Sequence, residues 1–254
     1  DIPGIAGIDT RALTKILRES GTMNGMITTK EYENLDEVMP RLKAYRTGKV
    51  VEKVTCSEKS VMKNDGYRVA LLDLGAKRNI ARSLHERGCE VTIYPAGTKA
   101  EKIIASKPDG LMLSNGPGDP KDCGPIIDEV RKLYESDIPI FAICLGHQLM
   151  ALATGADTYK LKYGHRGGNH PVKRLADGKI EITSQNHSYA VKADSLPAFA
   201  KVTEKNLNDD TTAAIVYDGM PAFSVQYNPE SVVGGRDKGA VYRRFMELMS
   251  TGRN

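Results

Sequence analysis

Between residues 67 and 154 the chain alternates short, continuously apolar runs with amphipathic stretches. This alternation constrains the fold more than any other feature. The runs at 67–73, 89–94, 110–114 and 139–143 have the length of strands, and the stretches at 77–87, 98–106, 125–136 and 147–154 have the periodicity of helices. A strand that is apolar at every position has no face to show to water. Such strands belong to a parallel sheet covered by helices on both sides. After 155 the pattern becomes β-rich, with short strands expected at 180–184, 187–192, 212–217 and 222–226 and a closing amphipathic helix at 238–250. The expected fold is therefore α/β, a mixed, mostly parallel sheet flanked by helices.

The start of the chain reads differently. Asp9 and Thr10 open an amphipathic helix over 10–19 with Leu13, Ile16 and Leu17 on one face, and Gly21 ends it. A short β-like run is expected at 23–29. Residues 40–64 are charged and poorly periodic, and Asn64-Asp65-Gly66 signals a turn. The expected division is 1–65, the end of one domain with its linker, and 66–254, the main domain. The first residue is Asp1, and neither a basic nor an apolar leader follows it, so no signal peptide is read here and a fragment or processed chain is expected.

Composition narrows the function classes. The 254 residues are 40% hydrophobic and 27% charged, ordinary values for a globular chain. No run approaches the roughly 18 apolar residues that a membrane span needs. The net charge of +4 is spread through a well-mixed sequence, which argues against nucleic-acid binding. Four cysteines without a C-x-x-C pair fit a reducing cytoplasm rather than a disulfide scaffold. Neither a phosphate-binding G-x-x-x-x-G-K-[ST] nor a metal-ligand cluster is present, so no cofactor is expected in this chain.

The strongest chemical signal is at 141–148, where an apolar strand runs into Cys144, Gly146 follows two residues on, and a helix begins. This pattern fits a nucleophile elbow, which exposes a reactive side chain at a strand end. It sets the sulfur at a helix N-terminus, where a lowered thiol pKa is expected. It fits a buried core cysteine equally well. Of the others, Cys89 reads as packed in a strand, and Cys56 and Cys123 as loop residues. A second strand-end loop, 113–120, contains Gly116 and Gly118. Taken alone it is an ordinary Gly/Pro turn, but beside the first it reaches the crevice where α/β sheets bind ligands.

Taken together, Cys144-Leu145-Gly146-His147-Gln148, Asn115-Gly116-Pro117-Gly118-Asp119-Pro120 and a late Asn228-Pro229-Glu230 resemble class I, triad-type glutamine amidotransferases of flavodoxin-like fold. Residues 164–172, 184–187 and 8–14 are similar to the small, glutamine-hydrolysing subunit of carbamoyl-phosphate synthetase. The resemblance covers essentially the whole chain, except most of an N-terminal domain of the small subunit. It implies that Cys144 attacks the side-chain amide of L-glutamine to form a thioester, that Gly116 and Gly118 border the oxyanion site, and that Leu145, Gln148, Asn186, Ser188 and Tyr189 hold glutamine. It also implies a cytoplasmic enzyme in pyrimidine and arginine synthesis and, as its partner, a large synthetase subunit that binds ATP and Mg²⁺.

Two departures matter. The family has Gly-Phe where this chain has Ser188-Tyr189 and, more seriously, His where this chain has Asn228. Glu230, which orients that His in the family, is kept. Asn has no usable pKa and can neither take the thiol proton nor return it to leaving ammonia. None of the five His lies near 228 in sequence; His147, His165, His170 and His187 match family positions outside the triad, and His85 reads as exposed on a helix. The segment 232–237 also drifts from the family pattern. The basic residues Lys160, Lys162, Arg166, Lys173 and Arg174 read as a solvated loop or, by the resemblance, as a docking surface for the large subunit. Two functions follow. One is a glutaminase subunit impaired at Asn228. The other is an inactive homologue, a structural or regulatory module that binds glutamine or the large subunit.

Overall fold

In the computed structural model of the chain, which describes residues 4–32, 34–231 and 239–251, the apolar runs form the centre of one ten-stranded sheet. The strands are β1 (Ser60–Met62), β2 (Arg68–Asp73), β3 (Glu90–Pro95), β4 (Gly110–Leu113), β5 (Ile140–Ile143), β6 (Thr158–Arg174), β7 (Ile180–Val191), β8 (Ala200–Asn206), β9 (Thr212–Tyr217) and β10 (Ala222–Val225). The helices are α1 (Thr10–Ser20), α2 (Met39–Ala44), α3 (Val51–Val54), α4 (Arg78–His85), α5 (Ala100–Ile104), α6 (Gly124–Tyr134), α7 (Leu145–Ala153) and α8 (Gly239–Thr251). The sheet order is β1-β3-β2-β4-β5-β10-β9-β8-β6-β7. From β3 to β10 the strands run parallel, and all pairings outside that block are antiparallel.

The continuous apolarity of the central strands is explained by two cores, one on each face. Ala70, Leu72, Leu111, Leu113, Ile140 and Ala142 point to α5, α6 and α7. Their neighbours Val69, Leu71, Met112, Phe141 and Ile143 point to α4 and α8. Phe141 stacks on Phe223 of β10 with ring centroids 4.6 Å apart and meets Tyr242 of α8 edge-on at 5.7 Å. The chain order reverses between β2 and β4, so the loops after these strands splay apart. This is the switch point at which open α/β sheets hold ligands.

Several sequence expectations change. No strand forms at 23–29: Met23, Met26 and Ile27 are exposed, and Thr22 makes one backbone bond, to the Lys162 carbonyl. The two strands expected at 180–184 and 187–192 are one, β7, paired to the long β6, which the sequence did not suggest. The basic cluster therefore lies on a strand rather than a loop. Lys160 and Arg166 face a cavity, whereas Arg174 pairs with Asp177. Cys123 is buried in a short 3-10 helix, not a loop, and His85 is half-buried against Asn64. The segment 232–237 lies outside the described residues. α1 begins as expected, with the Asp9 carboxylate accepting from Ala12 N–H at 2.9 Å, but none of its side chains is buried.

Truncating Phe141 to Ala removes a ring that both β10 and α8 pack against. It should lower unfolding free energy by about 3–5 kcal/mol, read by urea denaturation.

Candidate active site

Cys144 sits between β5 and α7 with φ 53° and ψ −101°, a left-handed conformation that L-residues hold only when their surroundings impose it. Three backbone bonds impose it here. Cys144 N–H donates to the Val225 carbonyl at 2.8 Å, Gly146 N–H to the Ser114 carbonyl at 3.0 Å, and Gln148 N–H to the Cys144 carbonyl at 3.1 Å. Gly146 is required because a Cβ there would lie 2.5 Å from the Leu113 carbonyl oxygen. Gly116 is equally constrained, since a Cβ would meet the Leu74 carbonyl oxygen at 2.2 Å. Gly118 adopts φ 96°.

These turns border a cavity of about 890 Å³ at the carboxyl ends of the parallel strands. Of the residues expected from sequence, Gly116, Gly118, Cys144, Asn186, Ser188, Tyr189 and Asn228 line it. Leu145, Gln148 and Glu230 do not. Leu145 is buried in the core. The Gln148 amide donates to the Tyr189 carbonyl at 2.7 Å and to Gln226 Oε1 at 3.0 Å, so it holds the wall strand in place. Glu230 lies behind the wall. Ser188 Oγ accepts from Arg166 at 2.5 Å.

Sequence reasoning missed Lys77, Asn24 and Arg46. Lys77 follows β2 at the switch point, where Asp73 Oδ1 accepts from Gly75 N–H at 2.9 Å and Ala76 N–H at 2.6 Å. Lys77 N–H donates to Asn115 Oδ1 at 3.1 Å, tying the two strand-end loops together. Its position at a strand end was the available signal. Asn24 and Arg46 come from the N-terminal segment, which Asn24 Nδ2 braces by donating to the Leu42 and Tyr45 carbonyls. No sequence pattern marked that segment as a cavity wall.

Electrostatics correct one expectation outright. The sequence predicts a lowered thiol pKa at Cys144. The structure pushes it up to about 12, because burial penalises the thiolate and the nearby Glu230 carboxylate adds to that, against smaller relief from Lys77 and the Leu145 N–H. A helix N-terminus does not outweigh the loss of water around a cysteine that is only 4% exposed. Asn228 is also buried; its N–H donates to the Ser184 carbonyl at 2.9 Å, while its Oδ1 has no hydrogen-bond partner. Three of the five histidines, His147, His165 and His187, already have partners. His147 is fully buried with Nδ1 2.7 Å from Ser224 Oγ, and burial pulls its pKa down to about 3. His187 lines the cavity, but its Nδ1 donates to the Tyr189 carbonyl at 2.7 Å, its Nε2 lies 3.2 Å from His165 Nδ1, and burial pulls it down to about 4. His165 in turn meets Asp209 at 2.8 Å. The described residues contain no cluster of His, Cys, Asp and Glu able to hold a metal ion, and no helix long and apolar enough to cross a membrane.

A strained cysteine at the β5–α7 turn, facing a crevice at the sheet's switch point, defines a class to which known proteins give a name. The family model for class-I glutamine amidotransferases matches residues 70–248. Two solved structures share the fold: a putative GMP synthase protein from Thermoplasma acidophilum (TM-score 0.66, 20% identity, 75% of this chain and 98% of that one) and a glutamine amidotransferase from Thermotoga maritima (TM-score 0.55, 18% identity, 74% and 84%). Residues 1–27 match the CPSase domain of the carbamoyl-phosphate synthase small chain. Proteins named carbamoyl phosphate synthase small chain are 48% identical over 98% of this chain and 69% of theirs in Listeria monocytogenes, and 45% identical over 96% and 69% in Clostridium perfringens. The chain therefore belongs to the carbamoyl phosphate synthase small chain family.

The raised thiol pKa makes a kinetic prediction. Alkylation of Cys144 by iodoacetamide should climb about tenfold per pH unit from roughly pH 7 to 10, because the thiolate fraction rises throughout that range. A plateau anywhere below about pH 9 would contradict the burial argument.

Proposed function

We propose that this chain is the glutamine-hydrolysing subunit of a carbamoyl-phosphate synthetase whose turnover is impaired at Asn228. One observation carries the reading: Asn228 and Cys144 line the same cavity, where the family places His and Cys. The cavity suits glutamine. Arg46, Lys77, Lys160 and Arg166 surround it with positive charge that an α-carboxylate can meet, and the Asp119 carboxylate offers a partner for an α-ammonium.

In the proposed reaction the Cys144 sulfur adds to the side-chain amide carbon, and the C–N bond breaks to give a thioester and ammonia. Water then releases glutamate. The thiol proton must leave sulfur, and a proton must reach the departing nitrogen. Asn228 does neither. With the thiol pushed up to about 12, little thiolate exists near neutrality to act without a base. Losing general acid–base help costs about 10²–10⁴-fold. The ammonia would pass to a large synthetase subunit that binds ATP and Mg²⁺, and the whole assembly would be cytoplasmic.

The buried, protonated thiol also favours a second reading, in which the chain binds glutamine or the large subunit without turning glutamine over. Glutaminase turnover of this chain and of Asn228→His, each with and without the large subunit, separates the two. Asn228→His should gain about 10²–10⁴-fold. Equal and efficient turnover by both proteins would refute the impairment. If neither turns over, the binding module stands.

A further inference from the structure

In a Cys-His-Glu array the carboxylate acts on sulfur only through the imidazole between them. With Asn at 228 no charge-bearing group fills that place, yet Glu230 remains, its side chain 1% exposed and both oxygens without a hydrogen-bond partner. A buried carboxylate demands a counter-charge. Lys77 supplies it from another element: its Nζ lies 3.0 Å from Glu230 Oε1, off the hydrogen-bonding direction but within ion-pair distance. The lysine is 45% exposed and lines the same cavity as Cys144, whereas Glu230 does not reach it. The Asp73 and Asn115 bonds that fix the 75–77 turn hold its backbone there.

We propose that Lys77 is the charged partner of both Cys144 and Glu230 in this chain, a positioning residue that supports the thiolate, and that Glu230 thereby opposes the thiolate instead of assisting it. The inference rests on the reading of Cys144 as the nucleophile of a glutamine site. Its physical basis is the sign of the charges. A carboxylate near sulfur disfavours a second negative charge, and an ammonium favours it. Both directions act on Cys144, after the larger effect of burial. The other charged or titratable groups on the cavity walls are Arg46, Asp119, Lys160, Arg166, His187 and the phenols of Tyr45 and Tyr189, and the buried Tyr242 hydroxyl feels the Glu230 charge from α8. On α7 itself, His147 is turned to Ser224.

The test is the rate at which iodoacetamide alkylates Cys144 in the full chain, followed by peptide mass spectrometry over roughly pH 6 to 10. Glu230→Gln should raise the rate near pH 8 by about three- to tenfold, and Lys77→Met should lower it by a similar factor. Lys77→Arg, which restores the charge, should recover most of that loss. Placing Glu230→Gln on top of Asn228→His should reverse its sign and slow the thiol, because an imidazole then needs the carboxylate. A slower or unchanged thiol in Glu230→Gln alone, or an unchanged one in Lys77→Met, overturns the proposal; circular dichroism checks that each variant is folded. Calorimetric titration with L-glutamine distinguishes the two levels of the argument. Absent binding refutes the glutamine site while leaving the charge relation standing or falling on the alkylation rates.

Discussion

The turn that carries Cys144 is the constraint on which the rest of the site depends. A non-glycine residue at φ 53° is held there by β10 on one side and the loop after β4 on the other. Those contacts exist only when β4, β5 and β10 are adjacent and in register, with Leu113 beside Ala142 and Val225 beside Ile143. The register depends in turn on two apolar cores that fix which residues face which layer of helices. Strain at the cysteine is thus supported by the whole central sheet, and the position of the sulfur is as rigid as the core beneath it.

Legibility in the sequence followed the range of the interactions. β2 to β5 and their helices were readable because continuous apolarity is a local consequence of burial on both faces. The elbow was readable because its glycine lies two residues from its cysteine. β7 was readable as two short strands, but its partner β6 was hidden because much of its surface meets solvent and its pattern is broken by glycines and register shifts, so neither apolarity nor alternation marks it. Lys77 was hidden because its partner, Glu230, is distant in the chain and approaches only when β2 and β10 share a sheet. The thiol pKa was misread for a related reason. The helix N-terminus is visible in sequence, but the depth of burial that overrides it is a property of packing.

The same distinction separates motif from role. Gln148 matches a position that holds glutamine in the family, yet here its amide is committed to the Tyr189 carbonyl and to Gln226. Its support of the cavity is indirect, through the strand that carries Asn186 and Ser188. The cavity also draws walls from the N-terminal segment through Asn24 and Arg46, so a boundary drawn on composition does not coincide with the edge of the site.

Replacing one imidazole by an amide changes more than the residue replaced. An imidazole can be neutral or cationic and so mediates between a thiol and a carboxylate of opposite needs. An amide holds no charge, and the groups on either side must then be balanced by what remains within reach. Glu230 is too deeply buried to stand uncompensated, and Lys77 is the cation that geometry offers. Cys144 and Glu230 can therefore remain in the positions of a triad while the energetic relation between them changes sign. Retention of a catalytic motif is then weak grounds for inferring retained catalysis, because what each side chain does is determined by the charge that stands between them.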